Sequence, residues 1–203
     1  MIPLPKKFTD QERAWINQKL LVEGRRSFEA RGLKKTSVED LTKAAGISQG
    51  SFYLFFGSKE ELFFELLQED EKRIRDTMLE SFKPDEVVTK EGIKQFLLRS
   101  FQLMDESPLL LQMTARGELE QLIRKLPQQL LDKNFVDDKA SMMPVIEAWQ
   151  AQGIMCGVAP DLIVSLFQAL VMLTLHKEEI GEKLFPATLE LLVDLLAEGM
   201  VSR

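Results

Sequence analysis

Polar side chains that could hydrogen-bond to nucleotide bases cluster in one short segment of the sequence. Gln49 can pair through two hydrogen bonds with an adenine edge, and the Ser51 hydroxyl can contact several bases. Gly50 lies between them and has no side chain, so a helix carrying these residues could approach DNA closely. Tyr53 and Lys59 have donors that suit phosphate oxygens. Base-edge contacts beside phosphate contacts are the chemistry of DNA recognition.

A short helix, a tight turn and a second short helix must position these groups. The Thr36-Ser37 hydroxyls predict a helix start, and the helix runs from about residue 38 to 45 before Gly46 stops it. Ser48 caps a further helix over 49–55. A short helix, a glycine-centred turn and a second capped helix can place the second helix in a major groove.

Longer helices flank this segment on both sides. Apolar residues recur every four positions between about 9 and 31, and Ser58 with Glu61 forms a capping-box pattern that opens a helix to about residue 82. The remaining chain also has helical patterns, separated by prolines and glycines, over 90–104, 109–126, 127–133, 139–152, 159–179 and 186–201. No convincing strand alternation occurs. The sequence predicts an all-α fold of about nine helices, with an N-terminal three-helix DNA-binding unit over 1–59 and a C-terminal helical domain over 60–203.

The charge distribution divides the chain at the same place. The whole chain has a net charge of −6, which taken alone argues against a nucleic-acid binder. Residues 1–59, however, hold 11 Lys/Arg and 6 Asp/Glu, a net of +5, whereas residues 60–203 hold 15 and 26, a net of −11. This asymmetry predicts that the two parts have different partners.

Several classes of protein are disfavoured by composition. Cys156 and His176 are the only residues of their types, so a Cys/His zinc site is nearly excluded and neither a metal nor a cofactor is expected. Without a recognisable catalytic constellation, an enzyme is the least favoured class. The most apolar stretch, 162–175, is shorter than the roughly 20 residues that span a bilayer, and the N-terminus has no signal-peptide pattern. No membrane partner is therefore expected, and a cytoplasmic location fits.

The helix-turn-helix segment resembles the TetR (tetracycline-repressor-type) family of bacterial transcriptional regulators. The resemblance covers roughly residues 20–66 and rests on these elements: Phe28 with Gly32, Thr36-Ser37-Val38, Ala44-Ala45-Gly46-Ile47-Ser48, Gly50-Ser51-Phe52-Tyr53, Phe56, and Ser58-Lys59-Glu60-Glu61-Leu62. The sequence departs from the family pattern in three places: Phe55 stands where the family often has Tyr or His, Leu54 stands at a frequently polar position, and Glu23-Gly24 replaces a common alanine pair. An apolar contact between Leu54 and a thymine methyl would be the natural substitute.

The resemblance implies a homodimer that binds a palindromic double-stranded operator and is released by a small effector bound in the helical body. The function predicted is that of a DNA-binding regulator, a repressor with a largely apolar effector; the alternative is a DNA-binding regulator whose body binds a protein partner and no small molecule. The predicted DNA-binding residues are Thr36, Ser37, Ser48, Gln49, Gly50, Ser51, Tyr53, Leu54 and Lys59.

Two sets of apolar residues in the body are candidates for further roles. Flexible or aromatic side chains could line an effector pocket, although most of them would simply be core: Phe101, Met104, Met113, Phe135, Met142, Trp149, Phe167 and Met172. The last two long helices are unusually apolar, which fits either central burial or an intermolecular four-helix bundle. With the resemblance, the dimer interface is favoured for Leu166, Leu170, Leu173, Phe185, Leu189, Leu192, Val193 and Leu196.

Overall fold

A computed structural model describes residues 8–83, 86–115 and 119–201, and these ranges contain helices and no strand. The all-α prediction is confirmed. The helical segments are α1 (Asp10–Lys35), α2 (Val38–Ala45), α3 (Gln49–Phe52), α4 (Lys59–Ser81), α5 (Lys90–Asp105), α6 (Pro108–Ala115), α7 (Leu119–Lys125), α8 (Gln128–Ala151), α9 (Pro160–Leu175), α10 (Lys177–Ile180) and α11 (Phe185–Val201). No helix in the described ranges has an apolar run long enough to cross a bilayer.

The C-terminal helices differ from the predicted segments in three places. The segments expected at 127–133 and 139–152 form one helix, α8, which contains Pro144 in its interior. The segment expected at 159–179 is divided at His176, whose φ of −110° and ψ of 26° end α9 before the single turn of α10. The segment expected at 109–126 is also two helices, α6 and α7. The first difference arises because no local breaker separates the two patterns, and the second because the chain turns at His176 without glycine or proline.

Local capping explains the N-terminal helices. Thr9 and Glu12 form a capping box at the start of α1, and the chain leaves helical geometry at Gly32, which has a φ of 80°. At the start of α4, the Ser58 hydroxyl accepts a hydrogen bond from the Glu61 N–H at 3.1 Å, as the sequence pattern predicts. The Glu61 carboxylate accepts from the Gly57 N–H at 2.9 Å rather than from Ser58.

The N-terminal compact unit extends to Leu67, within α4, and so includes the first turns of that helix; the domain boundary at residue 59 stays a prediction. Leu62, Phe63, Leu66 and Leu67 are all buried. Phe63 packs edge-to-face on Phe28 of α1, with ring centroids 5.0 Å apart. The first turns of α4 therefore belong to the core of this unit.

Gly24 explains one departure from the family pattern. A Cβ at this position would lie 3.1 Å from Leu62 Cδ2 and 3.5 Å from Leu66 Cδ1. Glycine thus lets α1 and α4 approach closely within the N-terminal unit. Glycine has a low helix propensity within α1, but at this position it also allows close packing against α4.

The C-terminal unit, from Gln68 onward, is built on a core contributed by α5, α8, α9 and α11. Aromatic rings cross this core in edge-to-face contacts: Phe96 meets Trp149 at 5.6 Å, and Trp149 meets Phe167 at 6.1 Å between centroids. On the surface, Lys90 and Lys94 of α5 form ion pairs with Asp194 of α11. Hydrogen bonds from Lys90 and Lys94 lower the pKa of Asp194 below its usual value.

Candidate DNA-binding interface

The start of α2 is fixed by reciprocal hydrogen bonds between Ser37 and Asp40. The Ser37 hydroxyl accepts from the Asp40 N–H at 3.1 Å, and the Asp40 carboxylate accepts from the Ser37 hydroxyl at 2.7 Å and N–H at 3.0 Å. These hydrogen bonds, followed by the charge of Arg31 at 3.5 Å, lower the pKa of Asp40 below its usual value. Ser37 therefore organises the first helix of the motif.

The turn between α2 and α3 depends on Gly46. Its φ of 73° and ψ of 32° are left-handed, a conformation that glycine adopts without a steric penalty. The Ile47 N–H then donates to the Thr42 carbonyl at 3.0 Å. Ser48 caps α3, because its hydroxyl accepts from the Ser51 N–H at 3.1 Å and lies 2.9 Å from the Ser51 hydroxyl. These short-range contacts set the direction in which α3 leaves the turn.

The outward side of α3 and the turn after it is the candidate interface. Gln49 and Gly50 are exposed, Tyr53 is 58% exposed and Leu54 is 52% exposed, whereas Phe52 is completely buried. The helix is shorter than predicted, since residues 53–55 form a turn. The predicted base-reading residues thus share a solvent-facing surface anchored by Phe52.

Arg13 supports this surface from α1, a contact that the sequence pattern did not reveal. Its guanidinium donates to the Leu54 carbonyl at 3.2 Å and lies 5.1 Å from the centre of the Phe55 ring. Phe55 also packs against Phe8, with ring centroids 6.1 Å apart. Phe55 is therefore a packing residue here, which accounts for an aromatic hydrocarbon at a position where the family often has Tyr or His.

Thr36, a predicted DNA contact, has an internal role in the structure. Its side chain is only 1% exposed, and the hydroxyl donates to the Gly32 carbonyl at 2.8 Å. Because this hydroxyl is buried and already hydrogen-bonded, the structure does not place it for direct contact with DNA. Thr36 stabilises the connection between α1 and α2.

Lys59 is another predicted DNA contact that has an internal role. Its ammonium group donates to the carbonyls of Leu33 and Thr36, both at 2.7 Å. These carbonyls lie where α1 ends and the chain enters α2, so Lys59 holds that connection in place. The side chain is only partly exposed, and it satisfies backbone acceptors rather than extending into solvent.

The C-terminal unit contains a small cavity, about 30 Å³ in volume. Of the residues predicted for an effector pocket, Phe101 and Met104 line this cavity, but Trp149 and Phe167 pack within the aromatic core, and Met172 is 48% exposed. Met113 is buried and Met142 packs on the core, whereas the side chain of Phe135 lies outside the described part of the structure. The residues around the cavity are Phe101, Met104, Asp105, Leu110, Leu111, Thr174, Lys177, Phe185 and Leu189.

The predicted dimer residues differ in how far they are exposed. Leu170, Phe185 and Val193 are buried within the chain itself, and Leu166, Leu189 and Leu196 are partly buried. Leu173 and Leu192 are each 37% exposed. The large apolar side chains that α9 and α11 present most openly are others: Leu162, Leu191 and Leu195, all at least 60% exposed.

Comparison with known proteins agrees with this geometry. Residues 20–66 match the family model described as bacterial regulatory proteins of the tetR family. An uncharacterised HTH-type transcriptional regulator, YdgC of Bacillus subtilis, is 34% identical over 92 residues, covering 44% of this chain and 47% of the relative. The chain thus spans about half the length of that curated relative.

Longer matches extend the similarity into the C-terminal helices. The HTH-type transcriptional repressor DhaR of Mycobacterium sp. strain GP1 is 26% identical over 154 residues, covering 76% of this chain and 77% of the relative. The solved structure of a TetR-family transcriptional regulator from Pectobacterium atrosepticum has the same fold, with a TM-score of 0.73 at 21% identity, covering 95% of this chain and 97% of that one. Residues 20–66 are therefore similar to the tetR family of bacterial regulatory proteins, and the chain as a whole is similar in fold to a solved TetR-family regulator.

Proposed function

We propose that this protein is a transcriptional repressor that binds a palindromic operator as a homodimer and is released by a small molecule. The observation that carries the DNA-binding part is the solvent-facing surface of a capped helix and the turn after it, with Gln49, Gly50, Tyr53 and Leu54 exposed and Ser51 partly exposed. The repressor sign is supported by relatives such as DhaR, which carries that description. Such a regulator is not an enzyme, and it acts in the cytoplasm, where the chromosome lies.

The dimer part of the proposal rests on the apolar faces of α9 and α11. Leu162, Leu191 and Leu195 expose large apolar side chains on two long helices. Pairing these helices with their copies in a second chain would form a four-helix bundle and remove this surface from water. Two copies of the motif in a symmetric dimer require a palindromic site.

The effector part rests on the cavity of the C-terminal unit and on its connection to α4. Leu110 and Leu111 of α6 line the cavity. At the start of α6, the Ser107 hydroxyl donates to the buried Asp70 carboxylate of α4 at 2.5 Å. Since α4 is one continuous helix from Lys59 to Ser81, a displacement of α6 by a ligand would act on the helix that leads to the DNA-binding unit.

Selection of duplexes from a random pool by the full chain tests the DNA-binding part. We expect an enriched palindrome, and Gln49→Ala should lose about 1–3 kcal/mol of binding free energy and relax specificity at one base pair of each half-site. Gln95→Ala, an exposed glutamine on α5, is the matched control and should leave the selected sequence unchanged. Enrichment of no sequence, or equal effects of the two variants, would contradict the assignment of α3.

A further inference from the structure

The cavity of the C-terminal unit combines an apolar lining with one positive charge. Six of the residues around it are Phe, Met or Leu, and among its described lining residues Lys177 is the one cation. Asp105 is the matching anion, with its carboxylate 3.8 Å from the Lys177 ammonium. The charges of these two residues therefore decide which polar group the cavity can accept.

Another anion can readily replace Asp105 as the partner of Lys177. A separation of 3.8 Å is longer than a hydrogen bond, so the pair is held by Coulomb attraction alone. The side chain of Asp105 is 72% exposed, whereas that of Lys177 is 25% exposed. If the pair separates, Asp105 is solvated by water, but Lys177 stays against the cavity and gains from a new anionic partner.

The remaining polar group offers no competing donor. The Thr174 hydroxyl donates its proton to the Val171 carbonyl at 2.7 Å. Lys177 is therefore the lining side chain best placed to donate hydrogen bonds to a ligand. A cationic ligand would instead have to pair with Asp105, on the side open to solvent, while remaining next to the Lys177 ammonium.

We propose that the cavity binds an amphipathic anion, an apolar body with a single carboxylate-type group, whose anionic end replaces Asp105 as the partner of Lys177. The inference rests on the proposed function only in taking this cavity as the effector site. A volume of about 30 Å³ holds one or two water-sized groups, so a larger apolar body displaces side chains as it enters. Met104 is unbranched and flexible, and can make way at low cost.

The position of such a ligand also indicates how it acts. It would contact Leu110 and Leu111 of α6, which begins at the Ser107–Asp70 hydrogen bond. It would also contact Phe185 and Leu189 of α11, the helix that carries the exposed Leu191 and Leu195. One occupant would thus act on the helix bonded to α4 and on the proposed dimer helix.

Calorimetric titration of the full chain with three matched probe series tests the inference. The probes are straight-chain carboxylates of four to ten carbons, the primary alcohols of the same lengths, and the corresponding primary amines. We expect the best carboxylate to bind at least tenfold more tightly than its alcohol, and no amine to bind better than its alcohol. Lys177→Gln should reduce carboxylate affinity to the level of the alcohol, and Asp105→Asn should increase it. Lys183→Gln, at an exposed lysine that does not line the cavity, is the control and should leave every affinity unchanged.

Three results would overturn the inference: no carboxylate binding, alcohols or amines that bind as tightly as carboxylates, or a Lys177→Gln variant that behaves like Lys183→Gln. Operator binding measured in parallel separates this outcome from failure of the proposed function. Carboxylates that bind through Lys177 without releasing the operator would support the ligand class and contradict effector-controlled release. Release of the operator by a different compound, without carboxylate binding, would support effector-controlled release and contradict the ligand class.

Discussion

At the scale of single residues, the DNA-binding motif divides its side chains between internal support and an exposed surface. Phe52 anchors α3 from below, and Thr36 and Lys59 stabilise the entry to α2 through backbone carbonyls. Gln49 and Tyr53 remain exposed. The same segment thus needs polar residues for two purposes, and only the second contributes to recognition.

A substitution at Gly50 should affect the stability of the fold and the approach of α3 to DNA in opposite directions. A Cβ at this position would meet nothing closer than the Ser48 hydroxyl at 3.9 Å, so the fold itself does not require glycine there. We expect Gly50→Ala to raise the free energy of unfolding by up to about 1 kcal/mol, because alanine loses less backbone entropy on folding. Operator affinity should nevertheless fall at least tenfold, because the methyl group lies between α3 and the duplex.

Thermal unfolding and a gel-shift titration on the same preparation measure both effects. Gly199→Ala, at an exposed glycine of α11 where a Cβ also meets nothing, is the control for the gain in stability. Unchanged operator affinity of Gly50→Ala would show that this face of α3 does not contact DNA closely.

We expect Lys59 to act as a structural lysine and Lys43, which is exposed in the last turn of α2, to contact a phosphate. Lys59→Gln removes a charged donor from two carbonyls and should lower the free energy of unfolding by about 1.5–3 kcal/mol. The dependence of operator affinity on salt concentration should stay as in the wild type. Lys43→Gln, at an exposed position in the last turn of α2, should leave stability nearly unchanged and reduce the salt slope by about 1. A reduced salt slope in Lys59→Gln would instead assign the Lys59 ammonium to a phosphate.

At the scale of helices, a buried and hydrogen-bonded carboxylate joins α4 to α6. Asp70 is completely buried, and its carboxylate accepts hydrogen bonds from Ser107 at 2.5 Å and from Arg73 at 3.1 Å. The Ser107 hydroxyl in turn accepts from the Leu110 N–H at 3.3 Å. A buried carboxylate is costly unless such donors surround it, so this arrangement holds the start of α6 against α4.

Ser107→Ala tests this contact. The variant removes a donor from a buried carboxylate and an acceptor from the first turn of α6, and should lower the free energy of unfolding by about 1–3 kcal/mol. Ser100→Ala removes a partly buried serine whose hydroxyl bonds only locally to the Leu97 carbonyl, and should cost about 0.5 kcal/mol or less. Denaturant unfolding of both variants gives the comparison. Equal losses would mean that the Asp70–Ser107 hydrogen bond contributes no more than an ordinary helix serine.

At the scale of the whole molecule, the exposed leucines of α9 and α11 are the surface most in need of a partner. In a dimer, the large apolar side chains of Leu162, Leu191 and Leu195 would be removed from water. The free energy gained would be roughly 25 cal/mol per Å² of apolar area buried. Leu170 and Val193, by contrast, already contribute to the core of the single chain. The proposed interface is therefore centred on a different set of leucines from the one that helical spacing alone suggested.

If the proposed dimer forms through α11, Leu191→Glu combined with Leu195→Glu should convert it to a monomer, because a bundle interface would then bury uncompensated carboxylates. Light scattering after size-exclusion chromatography measures the change, and operator affinity should fall as the second half-site contact is lost. Val87→Glu is the control, since this valine is 84% exposed in the connection before α5. A double variant with unchanged mass would move the interface away from α11.

The sequence by itself determined the helix-turn-helix and the side of α3 that faces outward. The reason is physical: capping hydrogen bonds such as those of Ser37, Gly46 and Ser48 join residues three or four positions apart, so residue types and spacing specify them. Only the tertiary structure decided the partners of Lys59, whose acceptors lie 26 and 23 positions away, and the lining of the cavity, which comes from five helices. Apolar spacing marks Trp149 and Phe101 alike as buried, but whether a buried side chain meets another ring or an open space depends on how the helices pack.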